Sequence, residues 1–198
     1  MQRKTVYRLV LSSMFFALGI VLPFLTGQIP EIGNMLLPMH IPVLICGLVC
    51  GWQYGAVVGF CLPITRSLIF SMPVLFPRAV AMAFELSAYG CLIGLFFLLF
   101  RKRTVITLYV SLILSMIGGR IVWGGVMAVL ISFFMSGRFL FKTFLTEAVI
   151  TAIPGIILQL ILIPSLMLVL DRTHLVPWRT RQRTESSLKN KSKEEKEV

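Results

Sequence analysis

The chain has 198 residues, of which 57% are hydrophobic and only 14% are charged, and its formal net charge is +11. A soluble domain of this size could not hide so much apolar surface, so the composition indicates a polytopic membrane protein. The basic residues concentrate beside apolar stretches and in the C-terminal tail. This is typical of cytoplasmic membrane flanks and argues against nucleic acid as a partner.

The first apolar stretch predicts a membrane-spanning helix over residues 5–26. Basic residues open it, as in a signal peptide, but the run is long for one and no small-x-small cleavage site follows before Pro30. We therefore expect the helix to be retained. Ser13 and Ala17 lie one turn apart on it, and two small side chains at this spacing let another helix pack closely.

Residues 39–70 are predicted to form two short helices rather than one. A single helix would be about 48 Å long at about 1.5 Å per residue, against a hydrocarbon core of about 30 Å. Pro63 is expected to interrupt such a helix, and a hinge is expected at residues 52–54. Glycines recur every four residues at positions 47, 51, 55 and 59, which predicts one face on which helices approach closely.

The later part of the chain predicts an outer loop over residues 71–77. Three further spans are predicted over residues 78–100, 104–134 and 141–171. Two helices within residues 39–70 place the basic triplet 101–103 on the same side as the N-terminus, in agreement with the positive-inside tendency. We therefore expect an all-α integral membrane protein, a six-transmembrane-helix bundle with its N- and C-termini in the cytoplasm. Residues 1–172 would form this membrane domain, and the polar residues 173–198 a disordered cytoplasmic tail.

Ionisable side chains inside the predicted spans are the main indication of function. A charge near the bilayer centre costs about 2.5–3.5 kcal/mol on insertion scales, so such residues usually face the interior of a bundle. The predicted topology places all of them at mid-depth or in the outer half, as in a cup that opens to the exterior. The candidate substrate-binding residues are His40, Arg66, Arg78, Glu85, Tyr89, Arg120, Trp123 and Glu147.

Helical spacing places several of these side chains on common faces. Glu85 and Tyr89 share a face of the fourth span, together with Arg78, and Arg120 and Trp123 share a face of the fifth. The pattern predicts a pocket lined by spans four to six, with a guanidinium for an anion and aromatic walls for a small organic molecule. Alternatively, Arg120 pairs with an acidic residue, Glu85 or Glu147, only to hold the bundle together.

Simpler roles are open for the other candidates. Arg66 and Arg78 lie near the expected membrane interface, where long basic side chains can reach the lipid headgroups. His40 begins the second span and could be an ordinary hydrogen-bonding residue at a helix start.

Two other classes of protein fit the sequence less well. A proton-coupled secondary transporter could use Glu85 and Glu147 as proton carriers. However, the inner half of the spans has few polar residues that could pass a proton on, and the sequence shows no internal repeat. An intramembrane enzyme would need paired metal ligands or a base beside a nucleophile. The two histidines, His40 and His174, fall on opposite sides of the membrane, and the cysteines lack zinc-ligand spacing, so we expect neither enzymatic activity nor a metal site.

Three segments resemble a known family. Residues 37–90 (LPMHIPVLICGLVCGWQYGAVVGFCLPITRSLIFSMPVLFPRAVAMAFELSAYG), 118–124 (GGRIVWG) and 152–164 (AIPGIILQLILIP) are similar to the substrate-binding S components of energy-coupling factor (ECF) vitamin transporters. The resemblance implies a six-helix protein of the bacterial plasma membrane that binds a vitamin in an outward-facing pocket. It also implies a membrane T component and two ATPase subunits as partners. These subunits would use the ATP, and this chain would need no cofactor.

The resemblance also suggests roles for individual residues. The small-residue surface with which the family docks the T component falls on Ser13 and Ala17, with serine in place of the first alanine. The pattern looks most like the pantothenate-type S components, and Arg120 could hold the pantothenate carboxylate through two parallel hydrogen bonds. Folate, riboflavin, pyridoxine and queuosine-precursor carriers remain open.

Overall fold

A computed structural model describes residues 2–26, 37–100, 104–134 and 153–172, and these residues are almost entirely helical. Within them lie six α-helices: α1 Gln2–Val21, α2 His40–Val49, α3 Trp52–Phe70, α4 Val80–Leu99, α5 Val105–Phe134 and α6 Ile153–Arg172. A turn of 3-10 helix, Leu22–Thr26, follows α1, and a wide helical turn, Leu75–Ala79, leads into α4.

Five of the described helices are long and apolar enough to cross a membrane, which makes the chain a multi-pass membrane protein. The exception is α2, whose ten residues extend about 15 Å, half the thickness of a hydrocarbon core. The predicted count of six spans and the cytoplasmic location of both termini therefore stay predictions. The basic triplet 101–103 and the tail 173–198 lie outside the described residues.

The break between α2 and α3 comes from a glycine. Gly51 has φ 108°, a backbone conformation that residues with a side chain rarely adopt, and it separates the two helices just before the predicted hinge at residues 52–54. The expectation that Pro63 would interrupt the helix was wrong. Pro63 is buried inside α3, which continues to Phe70, and in a membrane neighbouring helices can compensate for the hydrogen bond that a proline lacks.

The glycine-rich segment lets three helices meet backbone to backbone. A Cβ atom added to Gly55 of α3 would lie 2.7 Å from the Gly47 Cα of α2 and 2.7 Å from the Gly90 carbonyl oxygen of α4. The predicted close packing is therefore present, and it includes α4 as a third helix. Gly51 does not share this face, because no atom lies within 4 Å of its would-be Cβ.

The centre of the bundle is formed by α2 and α4. Nine of the ten residues of α2 are buried, and α2 packs against α1, α3, α4 and α6. In turn, α4 packs extensively against α3 and α5. This arrangement places the first residue of α2 and the first turns of α4 at the same end of the bundle, next to the middle of α5.

Candidate functional site

Three polar side chains from three different helices, two of them buried and one partly buried, meet near the beginning of α4. The Glu85 Oε1 atom lies 3.1 Å from Arg120 Nη1 of α5 and 3.6 Å from His40 Nε2, the first residue of α2. The His40 and Glu85 side chains are 1% and 2% exposed, and Arg120 is 17% exposed. Because the surroundings screen charge poorly, an unpaired charge here would be costly, and the carboxylate–guanidinium pair offsets that cost.

Aromatic rings surround this group of charges. Tyr89 follows Glu85 by one turn of α4, and the His40 ring packs edge-on against the Tyr89 ring at 5.1 Å between centroids. Trp123 follows Arg120 by one turn of α5, and its ring centroid lies 6.0 Å from the guanidinium carbon. Such a distance permits a cation–π attraction that helps to hold the guanidinium in place.

Gly119 makes room for the tyrosine ring, and the sequence analysis did not single it out as a site residue. A Cβ atom at this position would lie 2.9 Å from the Tyr89 ring, so any side chain would displace the ring. The only sequence signal was its position beside Arg120 in the segment GGR. Gly119 thus lets α5 bring Arg120 close to α4.

The site has unfilled hydrogen-bonding capacity. Arg120 Nη1 forms the ion pair with Glu85 Oε1, while the buried Nε and Nη2 atoms of Arg120 and Glu85 Oε1 itself have no hydrogen-bond partner. The Nε and Nη2 atoms form the side of a guanidinium that can donate two parallel hydrogen bonds to one planar carboxylate. Both ring nitrogens of His40 also lack a hydrogen-bond partner. Because buried polar groups are nearly always paired, a polar ligand at this place would satisfy groups that the protein leaves unsatisfied.

The structure thus brings together five of the eight predicted site residues: His40, Glu85, Tyr89, Arg120 and Trp123. The suggestion that Arg120 pairs with an acidic residue also holds, and within the described residues its partner is Glu85. A structural ion pair and ligand binding are compatible, because Glu85 lies at the Nη1 atom of Arg120 and the Nε and Nη2 atoms stay available for a ligand.

Arg66 makes a different set of contacts. Its Nη1 atom donates a 2.8 Å hydrogen bond to the backbone carbonyl of Ile20, and its guanidinium carbon lies 5.3 Å and 5.6 Å from the ring centroids of Phe24 and Phe70. With 4% of its surface exposed, Arg66 is buried rather than extended towards lipid headgroups. It therefore links the end of α3 to the end of α1.

The remaining predicted residues are placed as follows. Arg78 is half-buried in the helical turn before α4, and Glu147 lies outside the described residues. Ser13 and Ala17 are both exposed on α1, and the Ser13 hydroxyl donates a hydrogen bond to the Leu9 carbonyl of its own helix. Because both side chains are small, Ser13 and Ala17 form a surface against which another helix could pack closely.

Two further polar side chains in the interior were not predicted as site residues. Gln159 of α6 is fully buried and both of its amide atoms lack a hydrogen-bond partner, and the buried Ser111 hydroxyl of α5 is also unpaired. Among the described residues, no cluster of three or more His, Cys, Asp or Glu side chains could hold a metal ion.

Comparison with known proteins identifies the family. Neither the curated proteins nor the solved structures include a significant match to this chain. The family described as "ECF transporter, substrate-specific component" matches residues 7–167, which include most of α1, all of α2 to α5, most of α6 and all eight candidate binding residues. The chain therefore belongs to the family of substrate-specific components of ECF transporters.

Proposed function

We propose that the protein is the S component of an ECF-type ABC transporter and that it binds a small water-soluble vitamin carrying a carboxylate, with pantothenate as the best candidate. The observation that carries this proposal is the unpartnered Nε and Nη2 side of Arg120, buried beside an intact ion pair. A carboxylate is the planar anion that fits this donor geometry.

The surroundings of Arg120 favour a preorganised site. Glu85 holds one corner of the guanidinium and the Trp123 ring lies near it, so little side-chain freedom would be lost when the ligand binds. The unpaired nitrogens of His40 could bond the hydroxyl or amide groups of pantothenate. Tyr89 and Trp123 would pack against its apolar part.

The proposal includes the membrane arrangement and the partners. The six predicted spans with both termini in the cytoplasm would turn the site towards the exterior of a bacterial plasma membrane. The exposed pair of small residues, Ser13 and Ala17, would dock the membrane T component. Two ATPase subunits would drive delivery of the vitamin to the cytoplasm, so this chain would need neither a cofactor nor a catalytic residue.

The proposal is tested on the detergent-solubilised protein. Mass spectrometry should identify a carboxylate-containing vitamin that copurifies with it, and titration calorimetry should then show saturable binding of pantothenate. Copurification of a neutral compound would contradict the anion site. Uptake in cells should require the ATPase subunits, whereas uptake without them would favour a proton-coupled secondary transporter.

A further inference from the structure

Glu85 is shared between two potential cations, and this sharing determines the charge of the site. Its Oε1 atom is 3.1 Å from the Arg120 guanidinium and 3.6 Å from the His40 imidazole. With His40 neutral, Arg120 and Glu85 cancel and the group carries no net charge. A ligand carboxylate on the unpartnered side of Arg120 would then add one uncompensated negative charge to a buried site.

Such a charge is strongly unfavourable away from water, and proteins usually avoid it by protonation or by pairing. One added proton would restore neutrality. The His40–Glu85 pair is well placed to hold it, since both side chains are buried and His40 Nε2 faces the carboxylate. A protonated imidazole donates from both nitrogens, so its unpartnered nitrogens could bond Glu85 on one side and the ligand on the other.

We infer that binding of a carboxylate ligand at Arg120 is coupled to the uptake of one proton by the His40–Glu85 pair. This inference rests on the proposed function. It explains how a site with no net charge can bind an anion. The proton is assigned to the pair and not to one residue, because His40 Nε2 and Glu85 Oε1 lie 3.6 Å apart and can share it.

The titratable groups that face His40 come from α4 and α5. From α4 the facing groups are Glu85 and Tyr89, and Arg120 of α5 reaches His40 through Glu85. On α3, Arg66 is bonded to the end of α1, and Tyr54 lies at the opposite end of the helix. The remaining charged or titratable groups on the described helices packed against α2, and in the turn before α4, are Tyr7, Arg8, Cys61, Arg78, Cys91, Asp171 and Arg172, besides the terminal residues Arg3 and Lys4.

The direction of the pH dependence follows from linkage. If the bound state holds one more proton than the empty state, a rise in pH weakens binding, by up to about tenfold per pH unit. The ligand's own carboxyl group stays ionised near neutral pH, because its ordinary pKa lies near 4. It therefore contributes no proton to the balance.

Calorimetry at neutral pH in two buffers of different ionisation enthalpy, phosphate and Tris, tests the inference. Pantothenate is the probe, and its alcohol analogue panthenol, which lacks the carboxylate, is the control ligand. The difference in heat between the buffers should correspond to about one proton taken up with pantothenate, and panthenol should show no such difference. Binding of pantothenate with equal heats in both buffers overturns the inference but leaves the proposed function intact, whereas the absence of binding overturns both.

Two substitutions separate the members of the pair. His40→Gln should abolish proton uptake and weaken pantothenate binding, because the added negative charge stays uncompensated. Glu85→Gln should also abolish proton uptake but should strengthen binding, because Arg120 then lacks its internal partner. Ser165→Ala, on the exposed side of α6, should leave the proton count unchanged. Undiminished proton uptake in both His40→Gln and Glu85→Gln would overturn the assignment.

Discussion

Gly55 of α3 and Gly90 of α4 touch each other through their backbones: a Cβ atom on Gly90 would lie 2.3 Å from the carbonyl carbon and oxygen of Gly55. Without a driving force from water between helices, membrane helices associate largely through such close packing. Gly90 directly follows Tyr89 in α4, and the contact therefore supports the part of α4 that holds Glu85.

Replacing Gly90 with alanine should destabilise the bundle. The new methyl group would meet backbone atoms that cannot turn away, so α3 and α4 would have to separate, at a cost of about 1–3 kcal/mol. Thermal unfolding in detergent measures the effect. Gly125→Ala is the matched control, since no atom lies within 4 Å of its would-be Cβ, and it should be neutral or slightly stabilising. Equal stability of the two variants would contradict the packing argument.

Arg120→Lys should weaken binding of an anionic vitamin by about 1.5–3 kcal/mol, the usual value of a hydrogen bond to a charged group. Lysine keeps the positive charge for Glu85 but lacks the two-donor side that we propose for the carboxylate. Calorimetry with pantothenate gives the change in affinity, and unchanged affinity would remove Arg120 from the site.

Arg66→Lys offers the same chemical change at a place where we expect a structural effect. The substitution should lower the unfolding temperature, because lysine cannot reproduce both the hydrogen bond to Ile20 and the contacts with the Phe24 and Phe70 rings. Affinity for the vitamin should stay the same. A loss of affinity at unchanged stability would instead return Arg66 to the binding site, where the sequence analysis had placed it.

Ala17→Leu should impair vitamin uptake in cells while the isolated protein still binds the vitamin. The larger side chain would prevent a partner helix from approaching the surface formed by Ser13 and Ala17. Ser165→Leu adds the same bulk to an exposed position on α6 and should not affect uptake. Normal uptake by the Ala17→Leu variant would count against this surface as the docking site for the T component.

Gln159→Leu should raise the unfolding temperature. Both amide atoms of Gln159 are buried without hydrogen-bond partners, and removing them relieves a desolvation penalty of about 1–3 kcal/mol. Ser115→Ala on α5 is the control, because the Ser115 hydroxyl already donates to the Leu112 carbonyl and its removal brings no such gain. A lower unfolding temperature for Gln159→Leu would indicate that the amide has a partner that stabilises the fold.

Helical periodicity was enough to place Glu85 with Tyr89 and Arg120 with Trp123, because residues three or four positions apart share a face of a helix. It could not choose the partner of Arg120, since that choice depends on which helices are neighbours. The approach of His40 to Glu85 follows from the packing of α2 against α4, which the spacing of residues within one helix does not encode.

Pro63 and the glycines of the α2–α3 region show a second limit of sequence patterns. Pro63 was expected to break a helix and does not, whereas Gly51 does so through its positive φ. Glycine spacing predicted close contact correctly at Gly47 and Gly55, but Gly51 had the same spacing and a different role. A regular interval of small residues identifies a face only when the helix is continuous.

The shortness of α2 has a consequence for how the protein is made. A helix of about 15 Å covers only half of the hydrocarbon core, so the backbone groups at its ends need partners from neighbouring helices. It therefore cannot be released into lipid as an independent unit during synthesis. We expect α2 to remain with the insertion machinery until α3 and α4 have emerged to enclose it, so the candidate site would assemble only after these helices have come together.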